Sequence, residues 1–171
     1  KRSMEMAVTD PLTGLYNRRY MTTHLASLME EGAHSGRPLA LMILDIDHFK
    51  AVNDTHGHAA GDEVLKEFAR RVTNNVRGID LACRLGGEEF VVVMPDTDAE
   101  TALTIAERLR NRIAERAFPV DEETRLSVTV SIGLAGAIWP DDTNDALMER
   151  ADQALYKAKR DGRNRVIAEA A

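Results

Sequence analysis

The sequence predicts an α/β domain of the α+β kind, a mostly antiparallel central sheet covered by helices. Two observations carry this. Strand-like and helix-like segments are interleaved along the chain, and two apolar runs flank Gly86-Gly87 as in a tight β-hairpin, which forces antiparallel neighbours.

The elements follow in order. From Arg19 to Glu31, apolar residues fall at Met21, Leu25 and Leu28-Met29, a helical spacing that Gly32, Gly36 and Pro38 then break. Leu39 to Leu44 is a continuous apolar run, read as a buried strand, and polarity returns at Asp45-Ile46-Asp47. Glu63 to Val76 predicts an amphipathic helix with Val64-Leu65, Phe68, Val72 and Val76 on one stripe. Leu81–Leu85 and Phe90–Met94 are the hairpin strands. Thr97 with Glu100 reads as a capping box for a helix that turns Leu103, Ala106, Leu109 and Ile113 inward. Leu126–Ile132 alternates at period two, a strand with one wet face. Ala146–Ala158 is the last helix, stopped near Gly162, and Arg165–Ala168 gives a short final strand.

A chain of 171 residues, 44% apolar and 29% charged, fits one domain around a single core. No apolar run reaches bilayer length, and the basic N-terminus lacks the apolar stretch of a signal peptide. The lone cysteine, Cys83, is expected as a small core filler, and its isolation fits a reducing, cytoplasmic setting. The net charge of −6 argues against a nucleic-acid polymer as partner. A phosphate ligand would need a bound cation or a few placed Lys and Arg. Lys1–Met6 reads as helical, so residues 1–8 are expected to end a helical linker from an upstream domain, with residues 9–171 forming the folded domain.

Chemistry concentrates at two places. Asp45 stands where the buried strand emerges, Asp47 two residues on points to the same side, and Glu88 and Glu89 sit at or just past the hairpin tip. If the tip lies beside the Asp45 strand, several carboxylates converge, and such a cluster repels itself unless a cation sits in it. Hard oxygen donors with no His or Cys nearby select Mg²⁺ or Mn²⁺ over zinc. Asp45 and Asp47 taken alone fit a solvated surface pair equally well. An EF-hand is excluded, because its third ligand position would be Phe49 and its sixth lacks glycine; a Walker loop is absent.

Gly86-Gly87-Glu88-Glu89-Phe90 resembles the signature turn of the GGDEF family of diguanylate cyclases in its Glu variant. Further blocks occur in the family's order: Asp10-Pro11-Leu12-Thr13-Gly14-Leu15-Tyr16-Asn17-Arg18-Arg19, Asp45-Ile46-Asp47-His48-Phe49-Lys50, Asn53-Asp54 with Gly57-His58 and Gly61-Asp62, Val130-Ser131-Ile132-Gly133, and Ala151-Asp152 with Ala154-Leu155-Tyr156, Ala158 and Lys159. Together they cover about residues 9 to 167, and the chain is similar to response-regulator members of the PleD type. The resemblance implies the nucleotidyl-cyclase or polymerase-palm-like fold, a catalytic domain over residues 9–171, and Mg²⁺-dependent condensation of two GTP to cyclic di-GMP by a homodimer. It implies an upstream sensor or receiver domain as well.

It also assigns residues. Asp45, Glu88 and the Ile46 carbonyl would hold Mg²⁺ or Mn²⁺, and Glu89 is a candidate ligand or base. Asn53 and Asp62 would read guanine, with His58 ordering that pocket. Gly87, the backbone N–H groups of Phe49 and Lys50, and the side chains of Lys159 and Arg163 would meet GTP. Arg77 and Asp80, an Arg-x-x-Asp pair ahead of the turn, with Arg108 on the next helix, would form an inhibitory product site; Glu30-Glu31 stand where some relatives supply a further arginine. Read without the family, Asp62 is the N-cap of a helix starting near Glu63, Asn53 a turn residue, and Lys159 and Arg163 favourable charges at a helix C-terminus. Trp139 is expected to pack a loop, and His24, His34, His48 and His56 to be surface or turn residues. A non-catalytic module that senses GTP or cyclic di-GMP is the alternative, and a cyclase or palm enzyme using another base is the third reading.

Overall fold

The structure is a computed structural model that describes residues 7–169. The helical reading of Lys1–Met6, and with it most of the expected linker, lies outside those residues. Ten of its elements build one layered unit. Helix α1 (Arg18–Ser35) is followed by strand β1 (Leu39–Ile46), helices α2 (Phe49–His56) and α3 (His58–Asn75), and strands β2 (Leu81–Gly86) and β3 (Glu89–Pro95). Then come α4 (Ala99–Glu115), β6 (Val130–Gly136), α5 (Asn144–Arg160) and β7 (Val166–Ala168); the two-residue strands β4 (Phe118–Pro119) and β5 (Arg125–Leu126) pair separately.

The sheet runs β2-β3-β1-β6-β7, antiparallel except for β7, which joins β6 in parallel. The predicted antiparallel α+β architecture is the one observed. β1 is the central strand, buried on both faces because its residues alternate between two cores. Ala40, Met42, Leu44 and Ile46 meet Phe68, Phe90, Leu109 and their neighbours from α3 and α4. Leu39, Leu41 and Ile43 meet Met21, Leu25, Val91 and Leu155 beneath α1 and α5. This period of two puts Asp45 on the α5 side of the sheet.

Several expectations need correction. The strand predicted at Leu126–Ile132 is in fact two pieces: Ser127–Thr129 lies between β5 and β6, and β6 has Val130–Ala135 fully buried with no wet face. A central strand is covered from both sides, so alternation at its start misreads its middle. The N-cap of α4 is Asp98, whose side chain accepts from the Thr101 N–H; Thr97 instead donates to the Pro95 carbonyl. Leu103 is exposed, and Ala102 and Ile105 take the inward positions. Helix α2 was not anticipated, since only Phe49 among its eight residues is buried and no apolar stripe announces it. α3 starts five residues earlier than predicted, at His58 rather than Glu63, so Asp62 is a helix-interior residue and not the cap. Gly57 alone separates the two helices, at φ 91° and ψ 165°, a conformation that favours glycine.

Cys83 is buried as expected, and burial pushes its thiol up to about 12. Trp139 donates from Nε1 to the Arg37 carbonyl at 2.7 Å and covers Gly32 of α1, so it packs a loop onto a helix. His48, at φ 58°, is the backbone N-cap of α2, in keeping with a turn residue.

Candidate active site

Antiparallel pairing of β1 with β3 sets Asp45 opposite Glu89, and the Ile46 N–H donates to the Glu88 carbonyl at 3.2 Å. The hairpin tip is thus fastened beside the end of β1. Around this junction lies a 320 Å³ cleft lined by Asp45, Ile46, Phe49, Lys50, Glu88, Lys159 and Arg163, among others. Residues from β1, α2, the hairpin and the end of α5, up to 118 positions apart between Asp45 and Arg163, therefore share one opening.

The Asp45 carboxyl is held above its usual range chiefly by burial, with Glu88 and Asp47 adding repulsion and Lys159 opposing them. Lys159 Nζ lies 2.7 Å from Asp45 Oδ2, so in this structure the lysine meets the carboxylate and not an open cleft. Glu89 is likewise raised, first by burial and then by Asp152 and Asp45, against the pull of Lys159 and Arg18. Two carboxylates and a main-chain carbonyl are a hard oxygen set, the chemistry that suits Mg²⁺ or Mn²⁺. Such ions ordinarily take only one or two protein carboxylates and complete their shell with water and substrate phosphate. The residues fit a divalent ion of this kind, although among the described residues no group of three or more Asp, Glu, His or Cys side chains forms a metal cage.

Asp47 departs from expectation. It is buried, and both of its oxygens are taken: Ser131 Oγ donates to Oδ1 at 2.7 Å, while Thr129 Oγ1 and the Asn164 N–H donate to Oδ2 at 2.7 and 3.0 Å. It belongs to the frame of the cleft and not to a carboxylate cluster open to a cation.

At the start of α2, the Ala51 and Val52 N–H groups already donate to the His48 carbonyl. The N–H groups of Phe49 and Lys50 precede them in the first turn and point along the helix dipole at the cleft wall. The Phe49 side chain is buried in the core, and the Lys50 ammonium is spread along the helix to Asp54 at 2.9 Å. Asn53 lies in α2 and is not the turn residue its neighbours suggested. Gly61 of α3 lets it approach, because a Cβ there would fall 1.9 Å from Asn53 Oδ1. Asp62 follows Gly61 on α3, so the two base-reading candidates lie on adjacent helices. Asp62 and His58 are exposed, and neither they, Asn53 nor Gly87 line the 320 Å³ cleft.

Two contacts fix the hairpin tip. Arg84 donates from Nε and Nη2 to the Gly87 carbonyl at 3.0 and 2.7 Å, and its Nη1 lies 3.3 Å from both Asp10 oxygens. Asp10 also accepts from the Thr13 N–H and hydroxyl, which closes the preceding turn. The Asp10-x-x-Thr13 spacing of an Asx turn marks Asp10 in the sequence, whereas nothing local marks Arg84 as its partner.

At the other end of β2, the Arg77 guanidinium forks onto Asp80, Nη2 to Oδ1 at 2.8 Å and Nε to Oδ2 at 3.1 Å, and Asp80 is wholly shielded from solvent. The Arg77 N–H also donates to Oδ2. Asp80 thus anchors the arginine and has no oxygen left to face a ligand in this structure. Arg108 on α4 donates to the Asn75 carbonyl at 3.2 Å, so it arrives at the same end of α3.

A mixed sheet with carboxylates from a central strand and its hairpin neighbour, beside a helix N-terminus and two basic side chains, defines an α+β domain with one charged cleft at the end of its central strand. The family model described as "Diguanylate cyclase, GGDEF domain" matches residues 7–165. The response regulator PleD of Caulobacter vibrioides is 53% identical over 170 residues, 99% of this chain and 37% of that protein. The diguanylate cyclase DgcP of Pseudomonas aeruginosa is 46% identical over 95% of this chain and 24% of its own length. Among solved structures, the GGDEF domain of DgcB from Caulobacter crescentus, in complex with c-di-GMP, superposes with a TM-score of 0.92 at 38% identity, covering 98% of this chain and 96% of that one. The chain belongs to the GGDEF-domain diguanylate cyclase family, and it spans about a third of the length of PleD. No helix among the described residues is long and apolar enough to cross a membrane.

Proposed function

We propose that this domain condenses two GTP molecules into cyclic di-GMP and two pyrophosphates. The observation that carries the reading is the β1–β3 register, Asp45 opposite Glu89, beside a cleft that also holds Glu88, the start of α2 and Arg163. Diguanylate cyclases at 46% identity and below, and c-di-GMP in the related DgcB domain, support the product.

In this reading Asp45, Glu88 and the Ile46 carbonyl would hold Mg²⁺ or Mn²⁺, which would supply positive charge against the transferring phosphate. The raised Asp45 carboxyl suits that role, because a desolvated carboxylate gains most from a cation. The free N–H groups of Phe49 and Lys50 and the Arg163 guanidinium hold the triphosphate. Lys159 leaves Asp45 for the phosphates when nucleotide arrives. Asn53 and Asp62 read the guanine edge; adenine lacks the N1–H and exocyclic donor pair and leaves the carboxylate unmatched. Glu89, with its raised carboxyl, accepts the proton of the attacking 3′-hydroxyl. The oxygen then displaces pyrophosphate from the α-phosphate of the GTP on a second domain, and the reciprocal attack closes the ring, so the working unit is a homodimer.

Product returns to Arg77, Asp80 and Arg108 and restrains the enzyme. Arg77 swings from Asp80 to grip guanine or phosphate, while Arg108 gives up its helix-capping contact. A receiver or sensor domain upstream has support in PleD's name as a response regulator. The test is incubation with GTP or ATP and Mg²⁺ followed by nucleotide separation. Cyclic di-GMP from GTP alone is expected. GTP binding without turnover would favour a sensing module, and a cyclic product from ATP would favour a palm enzyme using another base.

A further inference from the structure

We propose that Asp47 is a positioning residue that shapes the turn after α5 and thereby aims Arg163 into the cleft. The turn is unusual: Gly162, Arg163 and Asn164 have φ of 127°, 64° and 48°, so two non-glycine residues in succession take left-handed conformations. L side chains rarely hold such geometry unless the surroundings impose it. Asp47 supplies the imposition. Its Oδ2 accepts the Asn164 N–H at 3.0 Å, and the carboxylate is itself fixed from beneath by the hydroxyls of Thr129 and Ser131. From the outer side Arg110 Nη1 donates to Asn164 Oδ1 at 2.9 Å, and the Arg163 N–H closes onto the Ala158 carbonyl at 2.9 Å. With residue 164 held between Asp47, just past β1, and Arg110 of α4, the Arg163 side chain is left lining the 320 Å³ cleft, and Arg165 continues to the sheet through its carbonyl on the Ile132 N–H.

A buried carboxylate with no free oxygen is thereby removed from the cation set, and its charge serves the turn. The consequence for substrate rests on the reading that the cleft holds the triphosphate of GTP, whereas the consequence for the turn does not.

The experiment has two arms on the whole chain. In the first, NMR of the ligand-free protein follows the Asn164 amide and the coupling constants of Arg163 and Asn164. D47N is expected to lose the protected amide and the left-handed couplings, with the rest of the spectrum kept. An unchanged turn in folded D47N overturns the proposal whatever the substrate. In the second, binding of the α,β-methylene analogue of GTP is measured with Mg²⁺. D47N is expected to weaken it about tenfold, the scale of one charge-assisted hydrogen bond, with the Mg²⁺ requirement unmoved and no added loss in the D47N/R163A double variant. A shifted Mg²⁺ requirement, or full additivity with R163A, overturns the positioning role. Wild-type protein that fails to bind the analogue would sink the GTP reading, and the first arm would still decide the turn. Should D47N not fold, T129V removes one support from the same oxygen and is expected to shift both readouts in the same direction by a smaller amount. Wild-type values for T129V in both arms would overturn the proposal.

Discussion

Lys159 reaches back across 114 residues to place its ammonium 2.7 Å from Asp45 Oδ2, so the half-buried carboxylate meets a cation of the protein's own in this structure. The pair is partly shielded, with 14% of the Asp45 side chain and 33% of Lys159 exposed, so the lysine competes with any divalent ion for the same lone pairs. K159A is therefore expected to bind Mn²⁺ several-fold tighter than wild type without nucleotide, yet to bind GTP several-fold more weakly. Calorimetric titration with Mn²⁺ and then with GTP checks both signs. A K159A variant weaker for Mn²⁺ would show that the lysine supports the cation site.

The raised carboxyl of Glu89 makes a prediction about pH. Burial and the nearby Asp152 and Asp45 favour its protonated form in the folded protein. A carboxyl whose folded pKa exceeds its unfolded value adds stability below the unfolded value, about 4.3, and that contribution is lost as pH rises through the folded value. At neutral pH the ionised Glu89 is thus a local cost. E89Q, which removes the charge and keeps the shape, is expected to melt at a higher temperature than wild type near pH 7, while cyclase turnover falls at least a hundredfold. The melting difference should shrink as pH drops toward 4. Equal melting temperatures across this range would remove the argument for strain at the site.

How much of this arrangement was legible in the sequence depended on how local its cause was. The hairpin strands could be read because Gly86-Gly87 and two apolar runs specify them within a dozen residues. Asp45 could be read as a candidate because polarity returns there, near the end of the buried run of β1, and it lines the cleft. Helix α2 could not, since its helicity rests on a left-handed His48 before it and Gly57 after it, with a single buried side chain. The start of α3 was missed for the same reason: Gly57 serves as a cap by its backbone, and no side chain advertises it. Asp47 was misread because its partners, Thr129, Ser131 and Asn164, lie more than 80 residues away and only the fold of β6 and β7 brings them to it.

The Asn53–Gly61 contact supports a sharper test of base selection. A methyl at residue 61 would overlap the Asn53 amide, which is the movable end of a side chain and can yield, while Ala gains up to about 1 kcal/mol over Gly in a helix interior. G61A is expected to change overall stability by less than about 1 kcal/mol, since the two effects oppose. Its KM for GTP should rise tenfold or more as Asn53 is pushed aside, with kcat less affected. Denaturant melts and GTP steady-state kinetics check the two halves, and a KM unaltered in G61A would detach Asn53 from guanine.

The Arg77–Asp80 pair predicts coupled effects on inhibition and stability. Removing the guanidinium leaves the wholly shielded Asp80 carboxylate with only the residue 77 N–H as donor. R77A should cost about 1–3 kcal/mol, the penalty for an under-satisfied buried acceptor. It should also release turnover from inhibition by added cyclic di-GMP. R108A removes an exposed cap on α3 and should relieve inhibition at little stability cost. Progress curves with and without added product, beside urea melts, separate the two; inhibition intact in both variants would place the product site elsewhere.

Arg84 joins Asp10 to the Gly86-Gly87 turn, and the way it does so predicts a loss in rate more than in binding. One guanidinium spans the Asp10 carboxylate and the Gly87 carbonyl, and burial of the pair leaves 15% and 18% of the two side chains exposed. Gly87 sits at φ 54° with no side chain of its own, so its carbonyl is the handle by which the tip is held. Glu88 follows directly, and Glu89 is already fixed by its pairing with Asp45. Loss of Arg84 therefore leaves Glu88 held to the sheet by a single bond, the Ile46 N–H on its carbonyl. R84A is expected to lower kcat tenfold or more with KM for GTP changed less than threefold, and to raise the Mg²⁺ needed for half-maximal rate. D10N should act in the same direction but more weakly, because the two bonds to Gly87 survive it. The D10N/R84A double variant should resemble R84A, as expected of residues working through one contact. Strict additivity in that cycle would mean that Asp10 acts on its own turn and not through the arginine.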